Sequence, residues 1–436
     1  MSGLAQRNGG RAAIAVLAAI LVLGLGLRLD NAWKGRAPVF DAAAYATLAA
    51  NLDHGDGFTL GRAATQPATN YSPGLPLLVA GLYKLSGGVH QRLARLALAL
   101  IGALAVLFTY LIGRRLSGPP AGLVGAAAVA VYPALLEYQG MLMGEPLATT
   151  LLAGAVLAVL WATDGGNRRW LLPGALFGAL ALVRPEYLAI AVLAGLVVLL
   201  RGRRDLRSSA VRAGILLAGL AVVVAPWTIR NAIELDRFVP VSTGGGQVLF
   251  AGSYLPSGGD PERVGAEVVE RHPELFAPGA VGRLRLEQIL ARLAAYRYPQ
   301  LETDEALSRM GRERLGDAIA EEPLAYSGFV AAKVGRIWGH GPRDVMRVPV
   351  WETLHWLLLA LGLIGLAILA AEGRWEALLL ATIFVAITAI SAVLVASPRR
   401  VLVMMPLVAA LAGVGVAWVL DRWRSRAASL YPTPLG

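Results

Sequence analysis

The 436-residue chain has no cysteine, which excludes disulfides, thiolate metal sites and cysteine nucleophiles. Histidine is sparse and scattered, at His54, His90, His272, His340 and His355. No HExxH or paired spacing links these residues, so an imidazole-built zinc site is not expected. Lysine occurs only at Lys34, Lys84 and Lys333, so arginine carries nearly all of the net charge of +11. Charged residues make up 16% of the chain against 56% hydrophobic, too little polar surface to cover a soluble core. No internal repeat is visible.

What is present is a series of uncharged apolar blocks of about 13–20 residues, the signature of membrane helices. Ten spans are expected, at 12–27, 93–112, 121–136, 146–162, 171–183, 188–200, 213–227, 354–371, 377–396 and 401–420. Arginines cluster in the short connections, which argues for a membrane topology and against a nucleic-acid partner. With ten spans, Arg7, Arg11, Arg114, Arg115, Arg168, Arg169, Arg374, the 201–212 run and Arg422 to Arg426 share one side. The positive-inside rule makes that side the cytoplasm and places both termini there. This assignment reads 171–200 as a hairpin with its tip at Arg184-Pro185-Glu186, because one kinked helix would put the 201–212 run outside. The first block could be a signal peptide, but no small-residue cleavage site follows it, so an uncleaved span is expected. Arginine-, alanine- and glycine-rich composition fits a GC-rich bacterial genome, and hence the inner membrane.

The chain then divides into an N-terminal membrane module, 1–227, an outer loop domain, 228–352, C-terminal spans, 353–421, and a tail, 422–436. The module carries a first outer loop at 28–91 with a juxtamembrane helix from Asp41 that puts Tyr45, Leu48 and Leu52 on one face. The stretch 303–338 reads as one amphipathic helix ending in the interfacial residues Lys333, Arg336 and Trp338. Channels and carriers keep their loops short, so this much outer mass calls for another explanation.

Asp41 is a carboxylate placed where a general base could meet a membrane-delivered substrate, or it caps its helix. Glu145, before Pro146, could flank the same cleft or simply favour a helix start. Arg184 sits at the tip of two short spans, where a charge is costly, and suits a phosphate or snorkels to the interface. Arg399 and Arg400 are a basic pair in an outer loop, able to grip phosphate bidentately or to touch lipid headgroups. Arg230 and Asn231 open the large loop as candidates of the same kind. Gly244-Gly245-Gly246 resembles a phosphate loop only superficially, since no Lys-Ser/Thr follows it.

Together these segments resemble the GT-C glycosyltransferases, in particular the ArnT-like and dolichyl-phosphate-mannose-protein-mannosyltransferase-like enzymes. The residues that carry the likeness begin with Asp41-x-x-x-Tyr45, Gly55-Asp56-Gly57-Phe58 and Tyr71-Ser-Pro-Gly-Leu-Pro. They continue through Leu182-Val-Arg184-Pro185-Glu186, Pro226-Trp-Thr-Ile-Arg230-Asn231 and Arg399-Arg400-Val-Leu-Val-Met-Met-Pro406. The resemblance implies an all-α membrane fold of about ten spans and a polyprenyl-phosphate-linked sugar donor. It further implies transfer to a hydroxyl of a lipid, glycan or protein acceptor, with inversion. By residue, it implies Asp41 as base and Glu145 as the second catalytic acid. Arg184, Arg399, Arg400, Lys333 and Arg230 would hold the donor phosphate, and Tyr45, Tyr71, Glu186 and Asn231 would contact substrate. Many relatives carry a second acid directly after the first; Ala42 stands there instead, so no cofactor is expected and a divalent metal lacks support. The rival readings are a secondary transporter or flippase, which would place charges near mid-span, and a non-catalytic polymer-binding membrane protein.

Overall fold

The computed structural model describes residues 2–61, 67–255, 258–277, 279–339, 341 and 343–430; His340 falls outside them. Among the described residues the chain is helical, with no strand and a single isolated bridge between Val281 and Leu284. The helices are α1 (Ser2–Trp33), α2 (Asp41–His54), α3 (Gly74–Ser86), α4 (Gln91–Val131), α5 (Pro133–Glu137) and α6 (Glu145–Ala162). Next come α7 (Leu171–Val183), α8 (Tyr187–Arg201), α9 (Leu206–Leu235), α10 (Gly245–Ser253), α11 (Pro261–Arg271) and α12 (Leu286–Arg297). The remainder are α13 (Thr303–Glu321), α14 (Pro323–Gly339), α15 (Pro349–Ala371), α16 (Trp375–Val393) and α17 (Pro398–Leu430).

Seven of these, α1, α4, α6, α9, α15, α16 and α17, are long and apolar enough to cross a membrane, and the chain is a multi-pass membrane protein. The 41-residue α4 is two helices in one. Ser117 and Gly118 leave helical geometry, with Gly118 at φ 86°, and Pro119 and Pro120 follow. A side chain on Gly113 would touch the Cα of Gly122 at 2.9 Å, although nine residues of straight helix would hold the two about 14 Å apart. The chain therefore doubles back at Gly118, as two separate spans there require. Helices α7 and α8, with 13 and 15 residues, are separate and meet at the Arg184–Glu186 turn, both packing on α9. At about 1.5 Å per residue each falls short of a hydrocarbon layer of about 30 Å.

Helix α17 is the axis of the bundle, packed against α4, α15 and α6 and lined almost entirely by buried residues from Val401 to Val414. At Gly413 the α17 backbone lies directly on the Ala121 carbonyl of α4, an approach that any side chain would block. Helix α1 is peripheral, held to α4 by Arg28, which is fully buried rather than part of a loop. Its Nη2 donates to Val129 O at 2.9 Å and its Nη1 to Ala130 O at 3.1 Å, satisfying carbonyls at the end of α4.

Two expected boundaries move. Helix α9 runs on through Pro226 to Leu235, so Arg230 and Asn231 stand on a helix rather than in a loop. The single helix expected at 303–338 is broken at Glu322, with φ −131° and ψ 54°, because Pro323 has no N–H and disfavours helical geometry before it. Helices α10, α11, α12 and α13 share a core of their own around Phe250, Tyr254, Leu290, Leu293 and Leu307. The glycine run takes an internal anion: Gly244 N and Gly246 N donate to Asp304 Oδ1 at 3.0 and 2.9 Å.

Candidate functional site

Four segments far apart in sequence deliver charge to one place. Helix α2 starts at Asp41 itself, with Phe40 in the capping position and no side-chain cap bond, so Asp41 does not cap its helix as one reading expected. Phe40 has φ 50° and ψ −126°, a conformation glycine adopts freely and a phenylalanine adopts at a cost of about 1–3 kcal/mol. The turn is closed by Ala42 N donating to Val39 O at 3.1 Å, and it fixes where the Asp41 carboxylate points. Helix α6 opens with Glu145 followed by Pro146, a residue order suited to the positive end of the dipole. Arg184 ends α7, where Gly74 at the start of α3 abuts Leu182 and Val183. Arg399 and Arg400 occupy the first turn of α17.

These groups join into one network. Arg399 Nη1 donates to Asp41 Oδ2 at 3.0 Å and Arg399 Nε to Glu145 Oε1 at 2.5 Å. Arg184 Nη2 donates to the same Glu145 oxygen at 2.6 Å. Beside them Arg400 Nε lies 3.4 Å from Glu186 Oε1, and Arg400 Nη1 donates to Val395 O at 2.5 Å. The two acids differ sharply in access. The Asp41 side chain is 49% exposed and Glu145 is 0% exposed, so only Asp41 presents a carboxylate to an incoming molecule. Glu145 serves the arginines: it holds two guanidiniums in place, and burial of a charge is tolerable only with such partners.

Tyr45 lies among Asp41, Glu145, Arg184 and Arg399 and packs edge-on against Tyr71, with ring centroids 5.7 Å apart. Burial, reinforced by the neighbouring carboxylates, raises the Tyr45 phenol above its ordinary value and pushes Tyr71 up to about 12. Both are therefore neutral hydrogen-bond donors at working pH. The charges of Glu287 and Arg285, at the start of α12, also act on Tyr71, which brings the 228–352 segment to the edge of the site. Three neighbours escaped the sequence reading. Tyr138 is buried within the field of Glu145 and Arg399, and Arg343 donates to Glu137 beside it. Glu137 and Tyr138 fall in the short connection before α6 and Arg343 in the 228–352 segment, and none of them stands in a motif that would single it out.

Other expected ligands stand elsewhere. Arg230 stacks on Trp227 and bonds Asn231 Oδ1 at 3.1 Å, while Asn231 Nδ2 donates to Val239 O and Val241 O at 3.0 and 2.9 Å. The pair clasps the turn after α9, outside the Asp41 network. Lys333 is fully buried, its Nζ donating to Gly252 O at 2.8 Å, and ties α14 to α10. Burial, with repulsion from Arg336 and Arg400, pushes its ammonium down to about 7. Both side chains are engaged in these bonds, Arg230 at the turn after α9 and Lys333 within the field of Arg400. Among the described residues no group of three or more His, Cys, Asp or Glu side chains could hold a metal ion.

Residues 69–229 match the family model described as dolichyl-phosphate-mannose-protein mannosyltransferase. No curated protein matches the sequence. Among solved structures the chain is similar to the oligosaccharyltransferase AglB from Archaeoglobus fulgidus in complex with an inhibitory peptide and a dolichol-phosphate. Identity is 17% and the TM-score 0.59, over 97% of this chain and 52% of that one. The apo form of the A. fulgidus oligosaccharyltransferase gives 16% and 0.58, over 96% and 52%. ArnT from Cupriavidus metallidurans bound to undecaprenyl phosphate gives 15% and 0.41, over 96% and 80%. The chain thus spans about half the length of the oligosaccharyltransferases it matches, and what it shares with them is the fold.

Proposed function

We propose that this chain, built on the GT-C fold, is a membrane glycosyltransferase that moves a sugar from a polyprenyl-phosphate-linked donor to an acceptor hydroxyl. The observation that carries the reading is the network itself: one accessible carboxylate, Asp41, meets guanidiniums fixed in place by the buried Glu145. The chemistry needs little more. Asp41 takes the proton of the acceptor hydroxyl as its oxygen attacks the anomeric carbon. The bond from that carbon to the phosphate oxygen breaks, and the departing polyprenyl phosphate carries its charge to Arg184, Arg399 and Arg400. Guanidiniums already in place stabilise that charge without reorganising. Attack from the face opposite the leaving group inverts the sugar.

The dolichol-phosphate bound to AglB supports a lipid-phosphate donor here. The expected topology supports a bacterial inner-membrane enzyme with cytoplasmic termini and an outward-facing site. The proximity of Tyr71 to Arg285 and Glu287 supports a 228–352 segment that closes over sugar and acceptor.

The test uses purified protein with a panel of polyprenyl-phosphate sugars, following release of polyprenyl phosphate. Asp41→Asn should lower kcat by about 10²–10⁴-fold and leave donor binding intact. Arg184→Ala should weaken donor binding more than Asp41→Asn does. Equal or reversed effects on donor binding would remove the phosphate role, and full turnover by Asp41→Asn would remove the base.

A further inference from the structure

A second charged cleft lies between the end of α1 and the start of α4, on the same side of the bundle as α2. It has a volume of about 600 Å³ and is lined by Arg36, His90, Arg92 and Arg95, with no carboxylate in its wall. Arg95 is 94% buried, being 6% exposed. Its Nε donates to Ala32 O at 3.1 Å, while among the described residues its two terminal nitrogens have no hydrogen-bond partner and no acid pairs with it. Arg92 stacks over Trp33 at 4.7 Å, and its charge repels that of Arg95. Two like charges brought together, one of them largely buried, make the cleft attractive to an anion.

The backbone around them has the same bias. The first turn of α4 starts at Gln91 with no side-chain cap, so its free N–H groups face the cleft together with the positive end of a long helix. Gly35 lets the end of α1 fold down onto Arg95, since a side chain there would strike both Arg95 Nε and Gly140 O. The rim is apolar: Trp33, Val89 and Leu93 are all exposed beside the opening. Tryptophan next to arginine at the end of a spanning helix marks headgroup depth.

We propose that this cleft binds a phosphate group, and that the group belongs to the headgroup of an anionic lipid. The three guanidiniums and the free N–H groups match phosphate oxygens, and the apolar rim matches the first methylenes of the lipid. The site is separate from the Asp41 network, so its occupancy can be measured without any transfer reaction.

The full-length protein is placed in nanodiscs of phosphatidylcholine and phosphatidylglycerol in equal amounts, and retained lipid is read by native mass spectrometry. Wild type should retain phosphatidylglycerol in preference. Arg36→Ala and Arg92→Ala should each reduce that preference about fivefold. Exchange of exposed arginines elsewhere, Arg263→Ala with Arg312→Ala, should leave it unchanged. A parallel arm titrates inorganic phosphate against melting temperature in a neutral detergent. Stabilisation of wild type by phosphate, lost in the Arg36→Ala/Arg92→Ala variant, supports the site with a soluble phosphate compound as its source. Retention of phosphatidylglycerol that is lost in that variant, with no response to phosphate, supports the lipid. If the double variant keeps both the lipid preference and the phosphate response of wild type, the site does not exist.

Discussion

The Asp41 network and the Arg95 cleft are built from the same residue type but balanced in opposite ways. In the network each guanidinium has a carboxylate of the same protein within reach, and the most deeply buried acid, Glu145, serves two of them. In the cleft three arginines face one opening and no acid answers them. Internal balance fixes side chains in position before any ligand arrives, which suits the transfer proposed for the network. Missing balance leaves a standing attraction for an anion from outside, which a binding site requires.

That contrast can be broken at its strongest point first. Glu145→Gln takes from Arg184 its carboxylate and leaves Arg399 with Asp41 alone, and it should cost about 3 kcal/mol, seen as a drop in melting temperature. Adding Arg184→Met to Glu145→Gln should recover part of the loss, because the stranded charge goes with it. A full-sized loss that persists in the double variant would show that packing, not charge balance, holds the site together.

A smaller effect tests Lys333, the buried cation that lies between the two cases. Its ammonium falls from an ordinary 10.5 to about 7 on folding. Between those values the unfolded chain holds a proton that the folded chain has released, so stability should rise with pH across that window and level off below about 7. Lys333→Met should flatten the rise in thermal melts across the series. The least effect is expected in the cleft. Arg36→Ala should leave the melting temperature unchanged in neutral detergent without phosphate, since no partner is lost.

The membrane class, the order of apolar segments and the break at 184–186 were legible in the sequence because each is a local property of composition and length. The break at Pro323 was not read, because the amphipathic pattern runs on across it and only the missing N–H of the proline marks the stop. What could not be read was pairing. Arg399 meets Asp41 and Glu145 across separations of 358 and 254 residues, and only the packing of α17 against the rest of the bundle brings them together. The same holds for Arg92 and Arg95, which look like ordinary flanking charges at a span end until the fold shows that Arg95 is buried with no acid beside it. The sequence offered Asp41 as base and Glu145 as a second acid, but not that one is exposed and the other buried.

Arg399 holds Asp41 with one nitrogen and Glu145 with another. On the proposed function, the carboxylate assigned as base shares its Oδ2 with Arg399, so an alcohol reaching that oxygen competes with a guanidinium for it. On the same proposal, a lipid-phosphate carrier would draw that nitrogen to its own oxygens and release Asp41 Oδ2. Substrate addition should therefore be compulsory-ordered, carrier leading and alcohol following, and initial-rate kinetics with both varied would reveal a random sequence if the exchange does not occur.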